Sequence, residues 1–343
     1  MRSWWKRTLT LGLSACLLLT ASPAVPAIAA TPTASTTAAS STVAFYNIQL
    51  GMTGEQVTAK LGAPIRKDPS QIGVQWWIYN KDLNNYLQVG IQNNRVVTLY
   101  SNGLNLSLRG MRIGMNTTQL AKIFGQPKST LAINSNLSIT NNTLNNKPSY
   151  LVGNQVYTFM IDKLDKNKVV GVRLSTKEHF AQISYGLLYR ILYYKMPASL
   201  PTLTTAQLQA VATAYERQNL DLTNIARKRV GLPLLTWNSQ VSNVARAHSL
   251  DMVLHNFFEH SSPTTGSPFD RLHKAGVQYY MAGENIAAGQ LDSIEVHNGW
   301  MNSSGHRVNL LQKDYKEIGI GTVFKQEKGS VRAFYTQNFV TRQ

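Results

Sequence analysis

An internal repeat in the first half of this chain limits its possible folds more than any other pattern. Leu50-Gly51-Met52 returns as Ile113-Gly114-Met115, and the Gly-x-Pro strings at 62–64 and 125–127 also match at an offset of 63. Between the two strings, each copy has a helix-permissive run, and Gly-x-Pro stops that helix. Runs of alternating polarity follow, as in strands that bury one face. The repeat therefore predicts two helix-plus-meander units in one small α+β domain.

Each copy continues with predicted strands. These are 75–79, 86–91 and 95–100 in the first copy and 155–159 and 169–174 in the second. Asn93-Asn94 suits a tight hairpin turn in the first copy, and a charged turn at 165–168 takes its place in the second. Neither copy gathers His, Asp or Glu residues, so we expect no catalytic site there.

The N-terminus has the three parts of a signal peptide, which we predict over residues 1–30. Three cations among the first seven residues precede a short apolar stretch at 9–20 and an Ala-Ile-Ala cleavage pattern at 27–29. Cleavage after residue 29 or 30 predicts a secreted or cell-wall-associated protein. Residues 31–44 are almost all Thr, Ala and Ser, which predicts a flexible linker.

Cys16 is the only cysteine in the chain. A single cysteine rules out an intramolecular disulfide, a four-cysteine zinc site and a CxxC redox pair. Leu13-Ser14-Ala15-Cys16 also has the form of a lipidation signal, which would anchor the chain at Cys16. The apolar run continues through residues 17–19, as in an uninterrupted signal peptide, so release is favoured over lipid anchoring.

The surplus of positive charge belongs to the first part of the chain that follows the signal peptide. Residues 30–209 hold 17 Lys+Arg against 6 Asp+Glu, a balance of +11, whereas residues 210–343 hold 14 against 11. A basic domain attracts anionic polymers and surfaces at long range. An anionic cell-wall polymer or membrane surface is therefore one candidate partner, and lysines scattered for solubility are the alternative. Nucleic acid is not expected, because the chain has no recognised binding motif and no dense Lys/Arg run.

Composition also divides the chain into domains. We predict a basic repeat domain over 45–196, a linker over 197–209 and a second domain over 210–343. The aromatic stretch at 185–196 is interpreted as core or an interdomain contact rather than a membrane-surface segment. Apolar spacing predicts two helices between Thr205 and Gly231.

Six of the seven histidines lie between His248 and His306, and imidazole both binds metals and titrates near neutral pH. His248 falls on the buried stripe of a predicted helix, where a core role is favoured and Asp251 at i+3 is positioned to orient it. His260 lies in a loop after two aromatics, Glu284 at the start of a strand, and His306 in a helical run. The second domain is therefore where a site is expected.

Spacing alone leaves several interpretations open. None of these residues forms a local metal motif such as HExxH, so a metal site is one hypothesis among others. Ser303, close to His306 in sequence, is typical of a helix cap rather than of a nucleophile. Arg271 is expected to pair with Asp270 or with a backbone carbonyl.

A longer set of motifs carries a family resemblance. In order, the strings are Ala245-x-x-His248-Ser249-x-Asp251-Met252, Phe257-Phe258-x-His260-x-x-Pro263, Gly283-Glu284-Asn285-Ile286-Ala287, Trp300-Met301-x-Ser303-x-Gly305-His306-Arg307, Ile318-Gly319-Ile320-Gly321 and Tyr335-Thr336-Gln337-x-Phe339. Together they resemble the CAP superfamily, which unites cysteine-rich secretory, antigen 5 and pathogenesis-related proteins. The basic repeat region resembles, more loosely, the domain that precedes CAP domains in exported proteins of Gram-positive bacteria.

The resemblance implies a fold and a site. The second domain should be a three-layer α-β-α sandwich, which makes the whole chain α+β. By motif, His260 and His306 match two cleft histidines that can hold Zn²⁺ or another divalent cation, and Glu284 matches an acidic cleft residue. The family's second acidic residue is absent, since residues 301–303 are Met, Asn and Ser. The residues expected to support the cleft are His248, Asp251 and Ser303.

Two functions are compatible with this site. One is a binding module whose cleft recognises a lipid, a peptide or a wall fragment with the help of a cation. The other is a metal-assisted hydrolase of peptide or cell-wall substrates, in which Glu284 acts as the general base. Two histidines fall short of the three protein ligands usual for catalytic zinc, and Glu284 cannot be both ligand and base. Binding is therefore favoured.

Overall fold

The computed structural model describes residues 45–184, 190–193, 200–327 and 330–342. The predicted signal peptide, the linker 31–44 and most of the aromatic stretch 185–196 lie outside these residues. The helices are α1 (Gly54–Leu61), α2 (Thr117–Phe124), α3 (Lys177–Ser184), α4 (Thr205–Arg229), α5 (Ser239–His255), α6 (Pro268–Lys274), α7 (Ser293–Met301) and α8 (Ser304–Leu310). The strands are β1 (Arg66–Pro69), β2 (Gln75–Tyr79), β3 (Leu87–Gln92), β4 (Arg95–Ser101), β5 (Ser107–Leu108), β6 (Met111–Arg112), β7 (Thr130–Asn134), β8 (Leu137–Thr140), β9 (Ser149–Val152), β10 (Gln155–Asp162), β11 (Lys168–Thr176), β12 (Arg190–Tyr193), β13 (Thr236–Trp237), β14 (Met281–Ala288), β15 (Glu317–Glu327) and β16 (Ser330–Thr341).

Each copy of the repeat builds the same helix start and the same strand contact. α1 and α2 both begin with a capping box and end at a glycine with positive φ. The Gly-Met strings bond to the last strand of their own copy. Gly51 donates to the Val96 carbonyl at 2.8 Å, and Gly114 donates to the Val169 carbonyl at 2.9 Å. The predicted repeat is therefore confirmed in three dimensions.

The two copies share one antiparallel sheet. Its seven strands run in the order β1-β2-β3-β4-β11-β10-β9, and the copies meet where β4 pairs with β11. One face packs against α1 and α2 through Val57 and Leu120. The other face packs against β7, β8, α3 and the long helix α4 through residues such as Ile139, Phe180 and Leu222. This region is therefore α+β, as predicted.

The second region is a three-layer sandwich, as the resemblance implies. Its four-stranded sheet has the order β13-β15-β16-β14. Alternation along β15 separates the two faces. Ile318 and Ile320 join the core under α4, α7 and α8, whereas the glycines between and after them face α5. The backbone of α5 lies so close to the sheet that a Cβ atom on Gly321 would be 2.0 Å from the backbone nitrogen of Arg246.

Residues 205–229 form one helix, so the prediction of two helices is wrong. α4 has 25 residues, and Thr204 rather than Thr205 supplies its capping box. Neither glycine nor proline interrupts this stretch, and its two apolar runs are buried against different partners. Tyr215 joins the core of the second region, whereas Leu222 joins the core beside the seven-stranded sheet. The helix begins within the segment that we predicted as a linker.

Buried ion pairs join the two regions into one compact unit. Arg173 on β11 contacts Asp292 at 2.6 Å, and their side chains are 2% and 1% exposed. Further ion pairs between the regions are Lys147–Glu295, Arg307–Asp162 and Arg66–Asp221. Removing one partner of a buried pair leaves an uncompensated charge, which costs about 3–5 kcal/mol. The two regions are therefore expected to unfold together.

We expect Gly321→Ala to lower the free energy of unfolding by about 1–3 kcal/mol, because the added methyl must displace the backbone of α5. The change should appear as a lower urea midpoint. Gly299→Ala is the matched control, since a Cβ atom there meets nothing within 4 Å and alanine favours the helix α7. Equal midpoints for the Gly321→Ala variant and the wild type would contradict the close approach of α5.

Candidate functional site

His260 and His306 line one cavity of about 430 Å³. His260 lies in the loop after α5 and His306 in α8, so the fold brings together two residues that are distant in sequence. Phe258, Trp300 and Ser303 contribute to the same walls. Ser303 occupies the N-cap position of α8 as predicted, but its side chain makes no capping hydrogen bond.

Glu259 also lines this cavity, beside His260. Local sequence patterns do not reveal this position, although Glu259 lies within the Phe-Phe-Glu-His string that carries His260. Among the described lining residues it is the one carboxylate, and it is exposed. A charged group at the cavity wall can therefore contact a ligand directly.

Asp251 holds the loop that carries His260. Its carboxylate accepts hydrogen bonds from three loop hydroxyls, those of Ser262, Thr264 and Thr265. The Thr264 and Thr265 bonds measure 2.8 Å and 3.1 Å. The carboxylate thus ties the loop to α5 and fixes one wall of the cavity.

Glu284 on β14 is a buried carboxylate among basic side chains. Its Oε2 accepts a hydrogen bond from Arg271 at 2.7 Å, and its Oε1 accepts one from His260 Nδ1 at 2.9 Å. The Glu284 side chain is 2% exposed and is absent from the described residues that line the cavity. Arg271 bonds two backbone carbonyls, as predicted, but its ionic partner is Glu284 and not Asp270. Glu284 therefore orients the His260 ring.

The hydrogen bond with Glu284 also sets the protonation of His260. This bond raises the pKa of His260 above the usual 6.5, and burial opposes it with a smaller effect. Because Nδ1 donates to the carboxylate, Nε2 carries the lone pair of the neutral ring. His260 thus has one nitrogen committed to the protein and one nitrogen suited to a cation.

His306 supplies a second imidazole to the cavity. Burial and then the nearby His260 lower its pKa, so the ring is neutral near pH 7. Its Nδ1 is buried and bonds to none of the described residues, and a buried polar atom normally has a partner. The described residues contain no cluster of three His, Cys, Asp or Glu side chains that could hold a metal. Two imidazoles on one cavity wall could serve as two ligands of a divalent cation.

His248 is a core residue of α5. Its ring is fully buried, its Nε2 lies 3.1 Å from the Glu259 carbonyl oxygen, and burial lowers its pKa. This bond holds the backbone just before His260. The hypothesis that Asp251 orients His248 is wrong, because the Asp251 carboxylate bonds to the loop hydroxyls instead.

Asn302 stands at the end of α7, where the resemblance called for a second acidic residue. Its Oδ1 accepts a hydrogen bond from the Lys163 backbone nitrogen at 2.9 Å, and its Nδ2 donates to the Ile161 carbonyl at 2.9 Å. Both partners belong to the repeat region. Asn302 therefore fastens the α7–α8 wall of the cavity to that region, a role that local sequence patterns do not reveal.

Comparison with known proteins identifies the family. Residues 50–185 match the CAP-associated N-terminal family, and residues 220–339 match the cysteine-rich secretory protein family. The uncharacterized membrane protein YlbC of Bacillus subtilis (strain 168) is 34% identical over 298 residues, which cover 85% of this chain and 82% of YlbC. The chain is a bacterial member of the CAP superfamily. A second B. subtilis relative of this CAP protein, the uncharacterized protein YkwD, is 44% identical over 147 residues, which cover 43% of this chain and 55% of YkwD.

Solved structures support the same assignment of this CAP protein. An extracellular protein containing an SCP domain from Bacillus anthracis str. Ames superposes with a TM-score of 0.76 at 33% identity, covering 86% of this chain and 94% of that one. A cysteine-rich secretory protein from Staphylococcus aureus, 22% identical, superposes with a TM-score of 0.69 over 85% of this chain and 93% of that one, and shares the fold. Within the described residues, no helix combines the length and the apolar character needed to cross a membrane.

We expect Glu284→Gln to lower the pKa of His260, because the substitution removes the negative charge that favours the protonated ring. NMR titration of the ring in chelator-treated protein measures the change. Glu317→Gln is the matched control, since Glu317 pairs with Arg342 on the surface, outside the cavity lining. An unchanged His260 titration in the Glu284→Gln variant would contradict the bond between the two side chains.

Proposed function

We propose that this CAP protein is a binding module of the bacterial cell envelope whose His260–His306 pair holds a divalent cation beside the cleft ligand. The observation that carries the proposal is the 2.9 Å hydrogen bond from His260 Nδ1 to the buried Glu284. A carboxylate behind the ring is the usual support of a metal-binding histidine, because it fixes the tautomer and the ring orientation.

Zn²⁺ suits the pair well, because it accepts imidazole nitrogens. When bound, it would act as a Lewis acid toward an oxygen atom of the ligand. The chain's own residues shape the rest of the cleft. Phe258 and Trp300 supply apolar walls, and Ser303 supplies a hydroxyl. A lipid, a peptide or a wall fragment is the proposed class of ligand.

The position of Glu284 favours binding over hydrolysis. A general base must reach a water molecule in the cleft, whereas the Glu284 oxygens already bond to His260 and Arg271. In a hydrolytic alternative, the base would be Glu259, the carboxylate that lines the cavity. Catalytic zinc usually has three protein ligands, and the described residues supply a pair. We therefore propose binding as the primary function.

Export to the envelope is part of the proposal. The sequence over residues 1–30 has the pattern of a signal peptide, and a relative that covers most of this chain is an extracellular protein. Residues 30–209 carry 17 Lys+Arg against 6 Asp+Glu. We propose that this basic region retains the protein at an anionic wall polymer by attraction that salt weakens.

We expect the purified protein to bind about one Zn²⁺ per chain and the double variant His260→Ala/His306→Ala to lose this binding, because both imidazole ligands are removed. Calorimetric titration and metal analysis measure the stoichiometry. Binding should weaken as the pH falls through the pKa of His260, since protons compete for the imidazole nitrogen. That pKa is raised by Glu284, so the loss should begin above pH 6.5.

The control for this experiment is His273→Ala, which removes a histidine that does not line the cavity. This control variant should still bind about one Zn²⁺ per chain. Unchanged Zn²⁺ uptake in the His260→Ala/His306→Ala variant would overturn the proposed cation site.

A further inference from the structure

A second, larger cavity lies in the repeat region, away from the histidine pair. It has a volume of about 780 Å³ and is lined by α2, by the loop 141–148 and by the β10–β11 turn. The loop is fixed rather than loosely attached, because the Asn146 and Pro148 carbonyls accept hydrogen bonds from Ile161 at 2.9 Å and from Phe159 at 3.0 Å. The walls of the cavity are therefore built into the sheet.

The lining of this cavity is positively charged. Lys122 on α2 and Lys163 in the turn contribute to it, and none of its described lining residues is an Asp or a Glu. Within the part of the chain that the structure describes, neither lysine forms an ion pair. Amides and hydroxyls, including Asn145 and Thr118, line it together with the apolar faces of Tyr150 and the prolines. Such a surface suits a ligand that is anionic and rich in hydroxyl groups.

The two copies of the repeat differ in the charges that this helix carries. At the offset of 63, Thr118 replaces Glu55 and Lys122 replaces Ala59. In the first copy the Glu55 carboxylate lies 3.4 Å from Asn94 in the hairpin turn, the counterpart of the β10–β11 turn. Because Ile123 replaces Lys60, each helix carries one lysine; α2 lacks the anion and has its lysine one position earlier, while the capping box is kept.

The turn that carries Lys163 is held from outside the repeat region. The backbone nitrogen of Lys163 donates a hydrogen bond to Asn302 Oδ1 at 2.9 Å, and the carboxylate of the neighbouring Asp162 pairs with Arg307 at 2.7 Å. Two residues of the CAP domain therefore position the backbone at Lys163, which forms one wall of the larger cavity.

We infer that this cavity, which we call the basic pocket, binds a segment of an anionic polymer whose units carry hydroxyl groups. The inference rests on the proposed retention at the wall and assigns that retention to Lys122 and Lys163. Two kinds of chain share this chemistry: polyols linked through phosphates, and glycans that carry carboxylates. Both polymers carry negative charges at regular intervals along a chain that is rich in hydroxyl groups.

The test measures binding of the full chain to three probes by calorimetry: a glycerol-phosphate oligomer, an oligogalacturonate and neutral dextran. The wild type should bind at least one anionic probe, more weakly as salt rises, and should not bind dextran. Lys122→Gln/Lys163→Gln should lower the affinity about tenfold, because two charges that act together are lost. The preferred anionic probe identifies the source of the polymer.

Matched variants separate the basic pocket from a general charge effect. Lys60→Gln/Lys81→Gln removes the same charge from exposed lysines elsewhere in the region and should change the affinity less than twofold. Thr118→Glu restores the carboxylate of the first copy at a helix start that tolerates it, and it should weaken binding more than Thr58→Glu on α1.

If both double lysine variants lost the same affinity for the anionic probes, the basic pocket would be rejected. Retention would then be due to the positive charge of the whole surface. Absence of binding to any probe by the wild type would reject both the pocket and the proposed retention. The His260→Ala/His306→Ala variant should bind the probes like the wild type. Loss of binding in that variant would also reject the basic pocket.

Discussion

A buried carboxylate on β14 holds a histidine of the cleft in place. Glu284 joins three segments, because it bonds to the loop residue His260 and to Arg271 on α6 while lying in the central sheet. Losing one partner from such a buried pair costs about 3–5 kcal/mol, so the arrangement resists rearrangement. The same bond fixes the tautomer of His260. The stability of this region and the orientation of His260 therefore depend on one carboxylate that does not line the cavity.

The opposite wall of the cleft is held by the repeat region. Asn302 and Arg307 flank the segment that contains Ser303 and His306, and both bond to the end of β10. The two histidines are thus supported by separate parts of the chain, one from within the CAP domain and one from outside it. Lys163 donates its backbone N–H to Asn302 and also lines the basic pocket, so a hydrogen bond links the basic pocket to the α7–α8 wall of the cleft.

Local patterns predicted much of this architecture. Helices and strands could be anticipated where caps, Gly-x-Pro stops and alternating polarity coincide, as in α2, β4 and β11. The same patterns predict two helices where α4 is one, because its two apolar runs bury against different regions and mimic two amphipathic helices. The motifs singled out His260, His306 and Glu284, but they could not tell a residue that lines the cavity from one that orients it. That difference depends on burial, which sequence spacing does not encode.

The sequence by itself determined the repeat, the charge of the first region, the lack of disulfides and the family. Tertiary structure alone decided that Glu284 faces His260 and Arg271, that Glu259 lines the cavity, and that Asn302 fastens the cleft to the repeat region. The physical reason is range. Helix caps, turns and periodicity act between residues a few positions apart, whereas these contacts form only when segments distant in sequence pack together and lose their water.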